Sequence, residues 1–351
     1  MKGVRLHPSV ELLERLARDR GDGLLKAVAE RLSRCYALYR SDDRYRRVFR
    51  VQATILRAIR EYLDSRGFVE LLPPIIGPAT DPGIRGASQA VLDFYGHRYK
   101  VMSSAILYKQ MMAHVLGRIY FVSPNVRIER PEAALTGRHL AEFFQVDVEA
   151  RGAGYHDAMR VAEGLLSYVV GRVLEENWRD LEALGRDLQL HRPPYPRLTY
   201  GEALELLRDL GYRVRYGEEI PWDAEVALSA SFETPFFVTD YPKAARGFYD
   251  REDPERPGTL RDFDLIYPEG FGEAASGAER EYEYERVVSR LLESGENPAD
   301  YAWYLDMLKE GISPSAGFGI GVERLTRYVC GLPAIWEARP YPKVPGIAPT
   351  P

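Results

Sequence analysis

Two stretches of this chain alternate apolar and polar residues: Val126-Arg127-Ile128-Glu129 and, ten residues further on, His139-Leu140-Ala141-Glu142-Phe143-Phe144-Gln145-Val146-Asp147-Val148-Glu149. Because neighbouring side chains of a strand point to opposite faces, Phe144, Val146 and Val148 are predicted to enter a core. The polar residues between them would share the opposite face with those of the first stretch. A solvated sheet face would carry such charges too, so a functional interpretation needs further signals.

Composition excludes several classes of protein. The chain has 351 residues, of which 45% are hydrophobic and 28% charged, as in an ordinary globular protein. A net charge of −5 gives no basic excess of the kind that marks nucleic-acid binders. Cys35 and Cys330 cannot build a zinc site alone. No apolar run approaches the roughly 20 residues of a membrane span, so we expect a cytoplasmic protein with no membrane contact.

Periodicity predicts an α+β domain with a mainly antiparallel sheet flanked by helices. Residues 8–40 are predicted helical, with a break at the Gly21–Gly23 turn, and 44–66 form a second amphipathic helix. Strands are predicted at 119–128 and 143–150, joined by a hairpin-like loop. The prediction divides the chain into a helical N-terminal extension, residues 1–43, and one large domain, residues 44–351.

A glycine string, Gly317-Phe318-Gly319-Ile320-Gly321, precedes Arg324 at a predicted helix start. Glycines let a backbone approach a ligand closely, and a helix N-terminus favours anions. A cation at that position opposes the helix dipole, and a bound anion would remove the conflict. The string alone is a weak signal, because it is neither a P-loop nor a full dinucleotide fingerprint.

Two acidic positions indicate a possible magnesium site. Asp264 shares a strand face with Asp262, and Glu273 lies in a glycine-rich turn that follows. Two carboxylates together with phosphate oxygens can hold Mg²⁺. The alternative is that these carboxylates are simply solvated.

Lys109 is one of only seven lysines, and it lies in an apolar helix start. Most such lysines extend their ammonium group to water. The alternative is that Lys109 contacts a ligand, which only other features of the sequence can support.

Taken together, these segments resemble the class II aminoacyl-tRNA synthetases of the aspartate/asparagine branch. Gly67-Phe68 followed by Pro74 resembles the dimer-forming first motif, residues 127–143 resemble the second, and residues 319–324 the third. The resemblance covers the chain from about residue 44 to its end. It implies the class II synthetase fold and a homodimer.

Within that class the sequence resembles above all the archaeal asparagine synthetases, which lack the anticodon-binding barrel. Tyr249-Asp250-Arg251-Glu252, residues 267–273 and residues 314–317 carry this similarity. We expect no barrel, because the residues before the match are few and have a helical pattern.

The resemblance implies a nucleotide site. Arg127 would hold the α-phosphate of ATP, and Phe143 would stack on adenine with Arg324 across the ring. Arg138 and His139 would touch the outer phosphates. The full ATP-binding set is Arg127, Glu129, Arg138, His139, Phe143, Gly321 and Arg324, with Arg127 and Arg324 as the catalytic pair.

The resemblance also implies an amino-acid site and a metal. The substrate-binding set is Ser104, Lys109, Gln145, Asp147 and Arg280; the Mg²⁺ ligands would be Asp264 and Glu273. Lys109 and Arg280 would bind a carboxylate, because a cation gains much less from a neutral amide than from a carboxylate. Ile106 departs from aspartyl enzymes, which carry Gln there.

The expected function is an ammonia-dependent, AMP-forming asparagine synthetase with aspartate, ATP and ammonia as partners, and without tRNA. Aspartate has a carboxylate at each end, so the sequence leaves open which one ATP activates. Two alternatives remain: an aspartyl- or asparaginyl-tRNA synthetase without the barrel, and a non-catalytic paralogue that binds an amino acid. Intact Arg127, Arg324, Asp264 and Glu273 argue against the last.

Overall fold

An eight-stranded sheet forms the centre of the computed structural model, which describes residues 22–82 and 86–347. Its strands lie in the order β1-β5-β6-β11-β10-β9-β8-β7. They are β1 (Val69–Leu71), β5 (Arg118–Val126), β6 (Glu142–Arg151), β7 (Arg197–Thr199), β8 (Phe236–Thr239), β9 (Asp262–Tyr267), β10 (Gly272–Glu279) and β11 (Ser315–Gly321). A small sheet pairs β2 (Ile76–Gly77), β4 (His97–Val101) and β3 (Val91–Phe94) in that order.

Eleven α-helices surround the sheets within the described residues. They are α1 (Asp22–Ser33), α2 (Cys35–Ser41), α3 (Asp43–Asp64), α4 (Ile106–Leu116), α5 (Tyr155–Glu176), α6 (Trp178–Leu184), α7 (Tyr200–Asp209), α8 (Trp222–Ala230), α9 (Tyr284–Glu293), α10 (Ala302–Glu310) and α11 (Val322–Cys330). Short 3-10 helices occur at Pro131–Thr136, Lys243–Ala245, Pro298–Tyr301 and Ile335–Ala338. None of the described helices is long and apolar enough to cross a membrane.

The main core lies on one face of the large sheet, under α3 and α5. Val48, Val51 and Ile55 recur at helical spacing along α3 and are almost wholly buried. They join Val146 and Val148 of β6 in the same apolar cluster. The opposite face of β6 therefore carries its polar side chains, as the alternation predicts.

Glycine is required in β11 because the backbone and side chains of β6 occupy the space that a Cβ would fill. A Cβ on Gly317 would lie 2.0 Å from the carbonyl oxygen of Val148 and 2.2 Å from Oε2 of Glu149. A Cβ on Gly319 would lie 1.6 Å from Nε2 of Gln145. The side chains of β6 therefore lie across the glycines of β11, which pairs with β6 in antiparallel register.

The predicted fold class is confirmed, since the sheet is mainly antiparallel with helices on its faces. Parallel pairing occurs in β1·β5 and β7·β8. The predicted hairpin of β5 and β6 pairs in antiparallel register, with Ser123 opposite Gln145.

Three local predictions were incomplete. Glu273 lies in strand β10 rather than in a turn, and the glycine string forms strand β11. The described N-terminal helices are separated at Arg34, while the first predicted helix falls outside the described residues. The division at residues 43 and 44 stays a prediction.

Candidate active site

A cavity of about 340 Å³ lies on the polar face of β6, β10 and β11. It brings together residues from α4, the loop before β6, β10, β11 and α11 that are far apart in sequence. The predicted residues that line it are Ser104, Lys109, Arg127, Glu129, Arg138, His139, Phe143, Gln145, Asp147, Glu273, Arg280, Gly321 and Arg324. Asp264 does not line the cavity but contacts Arg246, which does.

Sequence reasoning missed several lining residues. They are Asp81, Leu140, Arg246, Tyr249, Asp250, Glu323 and Ile335. Tyr249 and Asp250 stand in a stretch that carries the family resemblance, so a signal for them was present. Arg246 and Ile335 carry no comparable signal, because only the folded chain brings them to this site.

One half of the cavity, the arginine-rich end, contains Arg127, Arg138, Arg324 and Glu273. The guanidinium of Arg127 lies 5.1 Å above the ring of Phe143 and donates from Nε to the carbonyl of Ser103 at 3.1 Å. Its remaining guanidinium nitrogens make no hydrogen bond within the described residues. This end therefore offers donors to an anion beside an aromatic ring.

Glu273 sits between two of these cations. Arg324 Nη1 lies 3.1 Å from its Oε2, and Arg138 Nη2 lies 3.5 Å from the same atom. Burial acts to raise the pKa of Glu273, but Arg324 and Arg138 outweigh it and lower that pKa to about 2. The carboxylate is therefore ionised throughout the physiological range.

His139 is neutral at this end. Burial lowers its pKa well below the usual value, and the charges of Arg138 and Arg324 act in the same direction. Its Nδ1 lies 2.7 Å from the hydroxyl of Thr136. His139 therefore acts here through hydrogen bonds rather than through charge.

Glu323 fixes the strand that carries Phe143. Its two carboxylate oxygens accept the backbone N–H of Phe144 at 3.1 and 3.0 Å, and Arg339 donates to Oε1 at 2.7 Å. Burial raises the pKa of Glu323, while Arg339 opposes the shift. The glutamate of the third motif is therefore a positioning residue within the described structure.

The other half of the cavity, the carboxylate-rich end, contains Lys109, Asp147, Asp250 and Arg280, with Glu149 buried behind Lys109 and Arg280. Lys109 is 2% exposed, and its Nζ lies 3.3 Å from Asp147 Oδ1 and 3.8 Å from Glu149 Oε2. It also donates to the carbonyl of Phe318 at 3.0 Å. Burial lowers the pKa of Lys109, and Asp147 opposes that shift.

Arg280 uses each of its donor nitrogens at this end. It donates from Nε to Glu149 at 3.3 Å, from Nη1 to Asp250 at 2.9 Å and from Nη2 to the carbonyl of Gly317 at 2.9 Å. Asp147 Oδ2, in contrast, is buried with no hydrogen-bond partner among the described residues. An unpartnered buried carboxylate oxygen is costly unless a ligand satisfies it.

The predicted metal ligands lie beside this arrangement. Asp264 Oδ2 accepts from Arg246 Nη2 at 2.6 Å, whereas Asp264 Oδ1 is buried without a partner among the described residues. Those residues contain no group of three or more His, Cys, Asp or Glu side chains suited to a metal ion. The magnesium assignment therefore stays a prediction that needs oxygens from a ligand or water.

Several proteins similar to this chain are named as tRNA ligases. A relative from Thermococcus kodakarensis named asparagine–tRNA ligase is 37% identical over 302 residues, which are 85% of this chain and 69% of the relative. The asparagine–tRNA ligase of Pyrococcus abyssi is 38% identical over 301 residues, 85% of this chain and 68% of its own. The asparaginyl-tRNA synthetase of Pyrococcus horikoshii, solved with asparaginyl-adenylate, superposes with a TM-score of 0.84 at 34% identity, covering 91% of this chain and 73% of that one.

These relatives correct the expected function. The prediction of an ammonia-dependent asparagine synthetase was wrong, and with it the predictions that ammonia is a partner and that tRNA is not. The physical reason is that forming an adenylate requires the same phosphate-binding residues whichever nucleophile follows. The motifs therefore could not identify the acceptor, and the choice had rested on a barrel expected to be missing.

The family itself was predicted correctly at the level of the class and branch. The model of the family described as tRNA synthetases class II (D, K and N) matches residues 28–345. The observed sheet, with its glycine-bearing strand β11 running into α11, is the class II catalytic fold. This chain belongs to the class II (D, K and N) tRNA synthetases.

Proposed function

We propose that this protein is an ATP-dependent ligase that activates asparagine as an adenylate and transfers the asparaginyl group to tRNA. The observation that supports the proposal most directly is the buried Asp147 Oδ2, which has no partner among the described residues and lines the carboxylate-rich end. The ammonium group of an amino acid would supply the missing donor and charge.

The balance of charge at this end favours a neutral side chain. Two cations, Lys109 and Arg280, contact three carboxylates, Asp147, Glu149 and Asp250. The ammonium group of the substrate would offset the net negative charge of this set, while its α-carboxylate would face the arginine-rich end. The side-chain carboxylate of aspartate would add an uncompensated buried charge, whereas the amide of asparagine supplies both a donor and an acceptor.

ATP would lie at the arginine-rich end. Phe143 would stack on adenine, Arg127 would contact the α-phosphate, and Arg324, Arg138 and His139 the outer phosphates. Arg127 and Arg324 need little rearrangement for this, since Arg127 already lies against Phe143 and Arg324 is held by Glu273. Fixed cations of this kind stabilise charge that develops during phosphoryl transfer.

Asp264 and Glu273 fit a divalent cation. Asp264 Oδ1 has no partner among the described residues, and Glu273 is ionised because of its arginine neighbours. Mg²⁺ held there by these two carboxylates and by phosphate oxygens would neutralise charge on the triphosphate.

The chemistry then runs in two steps. The α-carboxylate of asparagine attacks the α-phosphorus of ATP, and pyrophosphate leaves. A terminal ribose hydroxyl of tRNA attacks the carbonyl carbon of the adenylate, and AMP leaves. Arg127 would neutralise the phosphoryl oxygens in the first step, while Asp147 and Arg280 keep the amino acid oriented.

A homodimer is part of the proposal. Leu72 is 95% exposed and Ile75 is 63% exposed on either side of Pro73-Pro74, next to the edge strand β1. An apolar surface at an uncovered sheet edge suits a subunit contact. Light scattering after size exclusion would give twice the chain mass if the contact forms.

ATP–pyrophosphate exchange with asparagine or aspartate tests the substrate, and acylation of unfractionated tRNA with radiolabelled asparagine tests the acceptor. We expect exchange with asparagine to exceed that with aspartate by at least about tenfold, equivalent to about 1.4 kcal/mol. Exchange with neither amino acid, or adenylate formation without any labelled tRNA, would contradict the proposal.

Aspartate is the second candidate, because Lys109 is a buried cation beside the substrate position. Lys109→Met keeps most of the side-chain volume and removes the charge. If aspartate is the substrate, this variant loses aspartate exchange and leaves the KM for ATP unchanged. The main proposal would be supported if the ratio of asparagine exchange to aspartate exchange rises in this variant while asparagine exchange itself falls little.

A further inference from the structure

The N-terminal helices share an apolar cluster with the walls of the proposed nucleotide site. Val28 and Leu32 of α1 are buried in it, at 8% and 2% exposure. The cluster also contains Ala134, Leu140, Ala334, Ile335, Trp336 and Val344, with Phe143 and Ile347 packed against it. Leu140, Phe143 and Ile335 line the cavity, so α1 is continuous with the nucleotide site through one packed cluster.

A C-terminal segment, residues 334–347, lies between the two. Two backbone hydrogen bonds join it to the nucleotide loop, residues 130–143: Ile335 N donates to Gly137 O at 2.8 Å, and Ala141 N donates to Lys343 O at 2.7 Å. The loop and the segment also meet at Gly346, where a Cβ would lie 2.8 Å from Cβ of Pro131. The segment therefore fixes both ends of the loop.

The N-terminal helices in turn hold the C-terminal segment. The backbone N–H of Tyr341 donates to the hydroxyl of Tyr39 in α2 at 3.3 Å, and their rings meet edge to face at 6.4 Å. At the start of α3, Arg44 forms an ion pair with Glu337 at 2.9 Å. Polar contacts and packing thus link α1 and α2 to the nucleotide loop through residues 334–347.

We propose that helices α1 and α2 are a positioning element for ATP, which rests on the proposed function. They hold the C-terminal segment against the nucleotide loop, so that Leu140 and Phe143 are in place before the nucleotide arrives. A loop ordered in advance loses less conformational freedom on binding, which strengthens affinity for ATP. The amino-acid contacts Lys109, Asp147 and Arg280 do not belong to the apolar cluster and make none of these hydrogen bonds with residues 334–347, so we expect them to be little affected.

Leu32→Ala and Val28→Ala test this inference, with Tyr36→Ala as the matched control, because Tyr36 lies in α2 and is 75% exposed. The affinity for ATP is measured by titration calorimetry, and the KM values for ATP and for the amino acid by pyrophosphate exchange, all below the melting transition of each variant. We expect Leu32→Ala to weaken ATP binding about tenfold, with the amino-acid KM unchanged. Tyr39→Phe, which removes one hydrogen bond, should weaken ATP binding about threefold.

Equal weakening of ATP and amino-acid binding, or a lowered melting temperature with both affinities unchanged, would overturn the inference. If Leu32→Ala does not fold, Val28→Ala and Tyr39→Phe decide the question by the same measurements. Calorimetry with ATP needs no amino acid, so it separates this inference from the proposed function. If the wild-type protein binds ATP but shows no pyrophosphate exchange with either amino acid, the proposed function is contradicted. The ATP affinities of the same variants still test the inference.

Discussion

Two buried acidic residues, Glu273 in the active-site cavity and Asp262 behind the cavity residue Arg246, have pKa values shifted in opposite directions. Glu273 at the arginine-rich end has a pKa lowered to about 2, whereas Asp262, next to the carboxylate-rich end, has a pKa raised to about 7. Both are buried, and burial alone raises the pKa of each. The difference therefore comes from neighbours. Arg324 and Arg138 outweigh burial at Glu273, whereas at Asp262 the single Arg246 lowers the pKa less than burial, with Asp250 and Asp264, raises it.

This contrast explains how one cavity can serve two ligands. An excess of arginines suits a polyanion such as ATP, and an excess of carboxylates suits the ammonium group of an amino acid. Each end also has polar atoms that its ligand would satisfy. Within the described residues, two guanidinium nitrogens of Arg127 and the Oδ2 atom of Asp147 have no hydrogen-bond partner. The two ends can therefore be altered separately.

The largest expected effect is at the arginine-rich end. Arg324→Ala removes a cation that contacts Glu273 and that would face the triphosphate. We expect kcat/KM for ATP in the exchange assay to fall about a thousandfold, since preorganised charge is lost from the transition state. Arg215→Ala is the control, because its side chain is 86% exposed and pairs only locally with Glu218. A loss of less than about tenfold would mean that the ends are not specialised in this way.

The next effect concerns pH and the carboxylate-rich side. Because the pKa of Asp262 is about 7 in the folded protein, it keeps a proton that the unfolded chain loses near pH 4. The free energy of unfolding should therefore fall as pH rises from 4 to 7, by about 3 kcal/mol from this residue. Asp262→Asn should remove that decline, as measured by urea unfolding at several pH values.

Asp306→Asn serves as the control for this pH dependence, because its side chain is 66% exposed. Its unfolding free energy should follow the wild-type pH profile. If Asp262→Asn follows the wild type as well, Asp262 is ionised in the folded protein, and Arg246 at 3.3 Å compensates its charge in full. The contrast with Glu273 would then disappear.

Sequence patterns named residues that the fold brings together at each end of the cavity, but not the partners that neutralise their charges. Alternation along β6 put Asp147 and Glu149 on one face of the sheet, where Asp147 lines the cavity and Glu149 contacts Lys109 behind it. Lys109 was predicted to clamp a free carboxylate, whereas it already contacts Asp147 and Glu149. Whether a cation is available to a ligand depends on contacts between segments that are distant in sequence. The periodicity of one segment gives no information about such contacts.

The glycine-bearing strands illustrate a second limit. β11 has glycine at alternate positions, so it lacks the polar and apolar alternation that marks a strand, and its glycines were interpreted as letting the backbone approach a ligand. Its glycines instead make room for side chains of β6. Arg246 and Glu225 were missed for the same kind of reason, since Glu225 reaches Arg138 from α8 at 2.7 Å.

The smallest expected effect tests that packing at the carboxylate-rich end. Gly317→Ala would place a Cβ 2.0 Å from the backbone oxygen of Val148 and 2.2 Å from Glu149 Oε2, and that carboxylate contacts both Lys109 and Arg280. We expect a loss of about 2 kcal/mol in the free energy of unfolding and a raised KM for the amino acid, with the KM for ATP unchanged. Gly201→Ala in α7 is the control, because its nearest neighbour lies 3.9 Å away and alanine favours a helix.

If Gly317→Ala raised the KM for ATP as much as that for the amino acid, the strain would have spread across β11. The two ends would then respond as one rigid unit, and their opposite charges would not make them independent.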